Sequence, residues 1–143
     1  TQSGATALVT IYNHPNDSIE VLRRILDLTH SGTVRLINNL VKQGLVVRKK
    51  DDSDKRSVTL HLTELGKIKA REVLAARAKA TEPLLGSLTK EQTETLTPLL
   101  ENMLQCMTDD VNSARKICRL CEETACRPLG CPVENQANAH CIS

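Results

Sequence analysis

The stretch DDSDKRSVTLHLT, residues 51–63, sets three acids within four positions, then Lys55 and Arg56, then a strict alternation of Val58, Leu60 and Leu62 with Thr59 and His61. It follows directly on LVVRKK, residues 45–50. Two strand-forming runs around a short polar segment read as a β-hairpin with one buried face. The hairpin's flank is basic, yet its tip carries Asp51, Asp52 and Asp54, charges that phosphate would repel. The segments upstream explain that conflict.

Ser18 follows the turn-like HPND and precedes IEVLRRIL, in which Ile19, Leu22 and Leu26 recur at helical spacing behind an N-cap residue. After DLTHSG comes TVRLINNLVKQG, whose final Gly44 fits a helix stop. Two helices joined by a short connection predict a helix-turn-helix. Wound at about 100° per residue, the second helix gathers Ser31, Arg35, Asn38 and Lys42 on one arc, with Val34 and Asn39 at its edges. Thr33, Leu36, Ile37 and Leu40 take the opposite side. The polar arc suits a major groove: Arg can bridge guanine O6 and N7, Asn can bridge adenine N6 and N7, and Val34 can meet a thymine methyl. An ordinary amphipathic surface helix would show the same periodicity, so the hairpin that follows is what gives the arc meaning.

A helix-turn-helix followed by a basic hairpin is a winged helix, and the acidic tip then has a use. Asp54 stands two residues before Arg56, close enough in a tight turn to accept its guanidinium and fix its direction. A narrow minor groove attracts such an arginine through its enhanced negative potential. On this reading Asp54 orients, Arg56 inserts, Asp51 and Asp52 shape the turn, and Lys55 lies beside them. Lys42, Lys49 and Lys50 supply phosphate contacts.

The segment DKRSVTLHLTELGK, residues 54–67, resembles the MarR-type (multiple antibiotic resistance regulator) pattern of Asp-x-Arg, a strand, then Leu-Thr and a Gly three beyond the Thr. THSGTVRLINNLVKQGLVVR upstream is similar to that family's recognition helix and first wing strand, and the resemblance runs from about residue 4 to about 110. It implies a dimeric transcription factor whose two winged helices grip a pseudo-palindromic site in double-stranded DNA. Carried over by position, Ser31, Val34, Arg35, Asn38 and Asn39 would face the bases and Arg56 would enter the minor groove. The family pattern also has a further helix before the region matching residues 4–14, one that joins the dimer interface. The dimer is thus expected either with such a preceding piece or from the C-terminal helices alone.

Composition agrees with a helical fold. Tyr12 is the only aromatic residue among 143, so the core must be built from Leu, Ile, Val and Ala, which disfavours an all-β sandwich. No apolar run reaches the roughly 18 residues of a membrane span, and TQSGATALVTIYNH lacks the basic start and apolar stretch of a signal peptide. The expectation is a soluble, cytoplasmic protein. Residues 18–67 hold ten Lys/Arg against six acids, whereas residues 118–143 hold two against three, so the positive excess sits in the winged-helix segment.

LTELGKIKAREVLAARAKATEPLL begins with Thr63 as an N-cap, and Val73, Ala76, Ala80 and Leu84 form a stripe of mostly small residues. SLTKEQTETLTPLLENMLQCM opens with Thr89 and Gln92 in capping-box spacing. Leu96, Leu99, Leu100, Met103, Leu104 and Met107 then repeat as a helix seam, with Pro98 placed to kink it. The winged helix has its own apolar faces, so a second copy of the chain is the economical partner for these helices. The expected fold is mainly α with a small β-hairpin wing: a winged helix-turn-helix over 1–62 (wing about 45–62), a helical dimerisation region over 63–110 and a cysteine-rich tail over 111–143.

Five of the six cysteines lie within CRLCEETACRPLGCPVENQANAHC, residues 118–141. Cys118, Cys121, Cys126 and Cys131 could enclose zinc or an iron–sulfur cluster, and Cys131-Pro132 resembles the ending of some cluster motifs. Only one C-x2-C is present, so the spacing matches neither a zinc ribbon nor a ferredoxin. Reversible thiol oxidation and unliganded cysteines are the alternatives. Cys106, on the helix seam, reads as a small core residue. The leading function is a sequence-specific transcriptional regulator, a repressor tuned by a small ligand or by thiol or metal chemistry. The alternative is a thiol-redox or metal-binding protein in which the tail is the working part, although no C-x2-C accompanies a thioredoxin-like strand-helix-strand pattern. A structural helical adaptor would need no wing. An enzyme is not expected: His14, His30, His61 and His140 are scattered and build no catalytic constellation.

Overall fold

The computed structural model describes residues 1–50 and 58–140. In chain order the elements are α1 (Gln2–Asn13), α2 (Ile19–Leu26), α3 (His30–Lys42), β1 (Val46–Lys50), β2 (Val58–Leu62), α4 (Glu64–Gly86), α5 (Lys90–Cys106), α6 (Val111–Cys118), α7 (Glu123–Cys126), a 3-10 turn (Arg127–Leu129) and α8 (Pro132–His140). They form two compact units, Thr1–Leu74 and Ala75–Ser143. The division falls inside α4, whose Gly66, Ala70 and Leu74 are buried, with Ala70 joining the core of the winged helix.

In the first unit each helix start is fixed by a hydroxyl. Thr1 caps α1 by accepting from the Gly4 N–H at 3.2 Å, and Ser18 caps α2 by accepting from the Val21 N–H at 3.3 Å. α2 stops where Asp27 turns left-handed at φ 54°. α3 then starts at His30, earlier than the DLTHSG connection suggested, because Thr29 is its cap and accepts from the Gly32 N–H at 3.1 Å. Gly32, a poor helix former, had disguised that start. At the other end Gly44 adopts φ 68°. Its N–H reaches the Val41 carbonyl at 2.9 Å while the Leu45 N–H reaches Leu40 at 3.0 Å, the paired bonds of a Schellman stop.

β1 and β2 pair antiparallel with Val46 opposite Leu62, Arg48 opposite Leu60 and Lys50 opposite Val58. The base of β2 is held on its other edge as well: Ser18 bridges Thr59, and the Leu60 N–H donates to the Asp17 carbonyl at 3.0 Å. This changes the expected one-faced alternation. Leu60 is fully buried, but Thr59 on the opposite face is buried too, while Val58, one step nearer the tip, is exposed. The core gathers Ala7, Leu8 and Ile11 from α1, Leu22 from α2, Ile37 and Leu40 from α3, and Leu45, Val46, Leu60 and Ala70 from the segments after it. Fully buried side chains such as Leu22, Ile37 and Leu60 contribute about 1.5–3 kcal/mol each.

The Leu62-Thr63-x-x-Gly66 sequence is a joint between hairpin and helix. The Thr63 hydroxyl donates to the Gly44 carbonyl at 2.6 Å and accepts from the Gly66 N–H at 3.0 Å, capping α4 as expected. The Thr63 N–H donates to the Leu45 carbonyl at 3.0 Å, so the start of α4 is tied to the end of the recognition segment.

In the second unit the capping box between Thr89 and Gln92 is formed, and Asp110 caps α6 by accepting from the Ser113 N–H at 2.7 Å. α5 and α6 both pack on α8. A small core joins Ala114, Cys131, Val133 and Ala137, with Leu104, Ile117, Cys118 and Cys126 against it. The α5 seam is otherwise uncovered within one chain: Leu99, Leu100, Met103 and Met107 are exposed. Cys106 is exposed as well, contrary to the core position expected for it, because α5 has no buried residue. Among the described residues no helix is long and apolar enough to cross a membrane.

Candidate nucleic-acid interface

The arc obtained by winding α3 is the face the fold leaves open. Ser31, Arg35, Asn38, Asn39 and Lys42 are exposed, Val34 is half-buried at the edge, and Thr33, Ile37 and Leu40 are buried against the core. The division is clean because the apolar positions recur every three or four residues and leave no core side chain on the polar arc. Ser31 shares a hydrogen bond of 3.4 Å with the capping hydroxyl of Thr29, which fixes the first residue of the face. Lys49 and Lys50 are exposed on β1. Asp51, Asp52, Asp54, Lys55 and Arg56 lie outside the described residues.

Arg48 was not singled out in the sequence, yet its Nη2 donates to Asn38 Oδ1 at 2.8 Å and joins the first wing strand to the polar face of α3. A signal was available: Arg48 lies two residues beyond the buried Val46, so both side chains leave β1 on the same face. On the other face of the hairpin, His61 Nε2 and the Thr59 hydroxyl are 3.0 Å apart. Burial first and the nearby charge of Lys49 second lower the His61 pKa, favouring a neutral ring.

Part of the basic excess is already engaged. Arg23 makes a two-pronged contact with Glu20, Nε to Oε2 and Nη2 to Oε1, both at 2.9 Å, and Arg24 reaches Oε1 at 3.3 Å. The hydrogen bond from Arg23 is the chief cause that holds the Glu20 carboxyl below its ordinary range. α2 therefore presents paired charge, and the cations offered outward sit on α3 and the wing.

The tail thiols lie close enough to influence one another. Cys118 and Cys121 are hydrogen-bonded across the turn in which the Cys121 N–H donates to the Cys118 carbonyl at 2.8 Å, and Cys126 is hydrogen-bonded to Cys131. The Cys118 hydrogen bond, with help from the Arg77 guanidinium, brings the Cys121 thiol down to about 6. The same bond pushes Cys118 strongly upward, and burial followed by the bond to Cys131 pushes Cys126 up to about 11. Arg77 also donates to the Leu120 carbonyl within this turn. Glu123 is buried beside the thiols and paired with Arg127 at 2.7 Å. Among the described residues, Cys118, Cys121, Cys126 and Cys131 included, no group of three or more His, Cys, Asp or Glu is disposed to hold a metal ion. Cys141 lies outside the described residues.

Comparison with known proteins matches residues 4–57 to a family model described as the MarR family. The transcriptional repressor MprA of Escherichia coli strain K12 is 32% identical over 109 residues, a match spanning 73% of this chain and 62% of MprA. Among solved structures, wild-type MarR of E. coli in its apo form superposes with a TM-score of 0.64 at 25% identity, covering 73% of this chain and 77% of that one. FabT of Streptococcus pneumoniae, solved in complex with DNA, superposes with a TM-score of 0.62 at 22% identity over 71% of each chain, which shows the shared fold. With the helix-turn-helix, the hairpin behind it and the Thr-x-x-Gly joint all in place, this winged-helix chain is similar to MarR-family proteins, its residues 4–57 matching that family's model.

Proposed function

We propose that the protein is a sequence-specific DNA-binding transcriptional regulator, a repressor acting as a homodimer on a pseudo-palindromic operator. The observation that carries the reading is the exposed polar arc of α3, Ser31, Arg35, Asn38, Asn39 and Lys42, backed by a buried apolar face and tied to the wing through Arg48. Arg35 and the two asparagines read bases in the major groove, and Lys42, Lys49 and Lys50 hold phosphates. Asp54 and Arg56 complete the wing's contribution in the minor groove, on the strength of their sequence pattern. The uncovered seam of α5 is the surface offered to the second copy. As a regulator of chromosomal DNA it works in the cytoplasm, and the cysteine-rich segment is its control element. The lowered pKa of the Cys121 thiol supports control by thiol or metal chemistry, alongside a small-molecule effector.

Selection of bound duplexes from random DNA, with the protein kept reduced, tests this reading. The expected result is a ranked two-fold site with half-sites about one DNA turn apart. Binding to that site should exceed binding to unrelated duplex by roughly 10³-fold or more. Recovery of no enriched sequence would overturn it.

A further inference from the structure

An asparagine side chain offers one acceptor and two donors, and its usual partner in the major groove is adenine because adenine's N6–H₂ and N7 present the complementary pair. That match needs Oδ1 to be turned toward the base. In this protein Asn38 Oδ1 accepts from Arg48 Nη2 at 2.8 Å. The orientation of the amide follows from chemistry: a guanidinium has only donors, so the oxygen must face it and the NH₂ group must face away. Both side chains are exposed, so the pair sits at the surface where α3 would meet a duplex.

Arg48 is placed to hold this arrangement. It leaves β1 on the face of Val46, which is buried in the core shared with Ile37 and Leu40 of α3, and it lies opposite the fully buried Leu60. Its backbone therefore has little freedom to move away from α3. The charge on the guanidinium makes the hydrogen bond stronger than one between neutral groups.

We propose that Arg48 is a specificity-determining positioning residue that engages Asn38 Oδ1 and turns the amide NH₂ outward, so that Asn38 selects guanine in preference to adenine. Guanine presents N7 and O6, two adjacent acceptors, to the two hydrogens of the amide nitrogen, whereas adenine pairs one acceptor with a donor that would have to share Asn38 Oδ1 with the Arg48 guanidinium. Arg48 itself need touch no base. The inference rests on the assignment of α3 as the DNA-reading helix.

The test repeats the duplex selection with the wild-type protein, Arg48→Met and Asn38→Ala, each first checked for an unchanged thermal midpoint. Asn38→Ala identifies the base pair that Asn38 reads as the one position whose preference disappears. There the wild type should favour guanine over adenine by about fivefold or more, the lower end of what a good base contact discriminates. Arg48→Met should reverse that order toward adenine, and Arg48→Lys, which keeps a donor, should restore guanine at least in part. A wild-type preference for adenine would overturn the inference. So would an Arg48→Met protein that binds more weakly at every site with base preferences unchanged, since that is the signature of a phosphate contact. In both cases the regulator reading survives, because the wild type still yields a ranked site. A wild type that enriches no sequence would overturn both.

Discussion

Gly66 packs so closely on the Leu45 carbonyl that a side-chain carbon built on it would overlap the backbone there. The requirement for glycine is therefore spatial, since the overlap is with main-chain atoms that cannot turn aside. Gly66→Ala should destabilise the winged-helix unit by at least about 2 kcal/mol, in the upper part of the range for overpacking. Urea unfolding followed by far-ultraviolet circular dichroism measures it. A change under about 0.5 kcal/mol would mean that α4 can shift away from Leu45 at little cost.

Two cations on α3 should fail in different ways. Arg35→Ala should cost about 1–3 kcal/mol of operator affinity and relax the choice of base at one position. Lys42→Ala should weaken all duplexes alike and reduce the slope of log affinity against log salt by about 1. Titrations at several salt concentrations with operator and scrambled duplex separate the two patterns.

The α5 seam gives a prediction about assembly. Leu100 is exposed in the single chain, among Leu99, Met103 and Met107. If a second copy covers this face, Leu100→Glu should weaken self-association tenfold or more, about 1.4 kcal/mol, by placing a carboxylate in an apolar interface. Sedimentation at micromolar concentration should then show the monomer. A variant that remains as associated as the wild type would move the interface elsewhere.

Cys121 should be the reactive thiol of the tail. Its pKa is brought down to about 6 by the Cys118 hydrogen bond and by Arg77, so lowering the pH protonates it and raising the pH exposes the thiolate. Its alkylation by iodoacetamide should be close to its plateau at about pH 7 and fall about tenfold by about pH 5, since the thiolate is the nucleophile. Arg77→Met should move that inflection upward. Site-resolved mass spectrometry reads the rate, and an inflection near the ordinary value of about 8.5 would remove the proposed acidification.

Much of this organisation is legible in the sequence because it is set by local chemistry. The caps at Ser18, Thr63 and Thr89, the stop at Gly44 and the polar arc of α3 each depend on residues within a few positions of one another. What escaped depends on contacts between distant segments. Thr59 is buried because Ser18 pairs with the far edge of β2, a bridge that no alternation within residues 58–62 could reveal. Arg48 bonds Asn38 across ten residues, from a strand to a helix. Cys106 followed the apolar period of α5, but that period describes a face left open in the single chain. The hydrogen bonds of Cys118 with Cys121 and of Cys126 with Cys131 likewise depend on how the tail folds.

The hydrogen bond from Leu60 to Asp17 also has a kinetic consequence. Because the base of β2 is bonded on one edge to β1 and on the other to the residues that start α2, its amide protons cannot meet solvent by a local opening of the hairpin alone. The Leu60 amide should therefore exchange with deuterium about as slowly as the amides of the core helices, reporting cooperative unfolding of the whole unit. The wing is thus anchored in the most protected part of the fold, and a force applied to it would be carried directly to the start of α2.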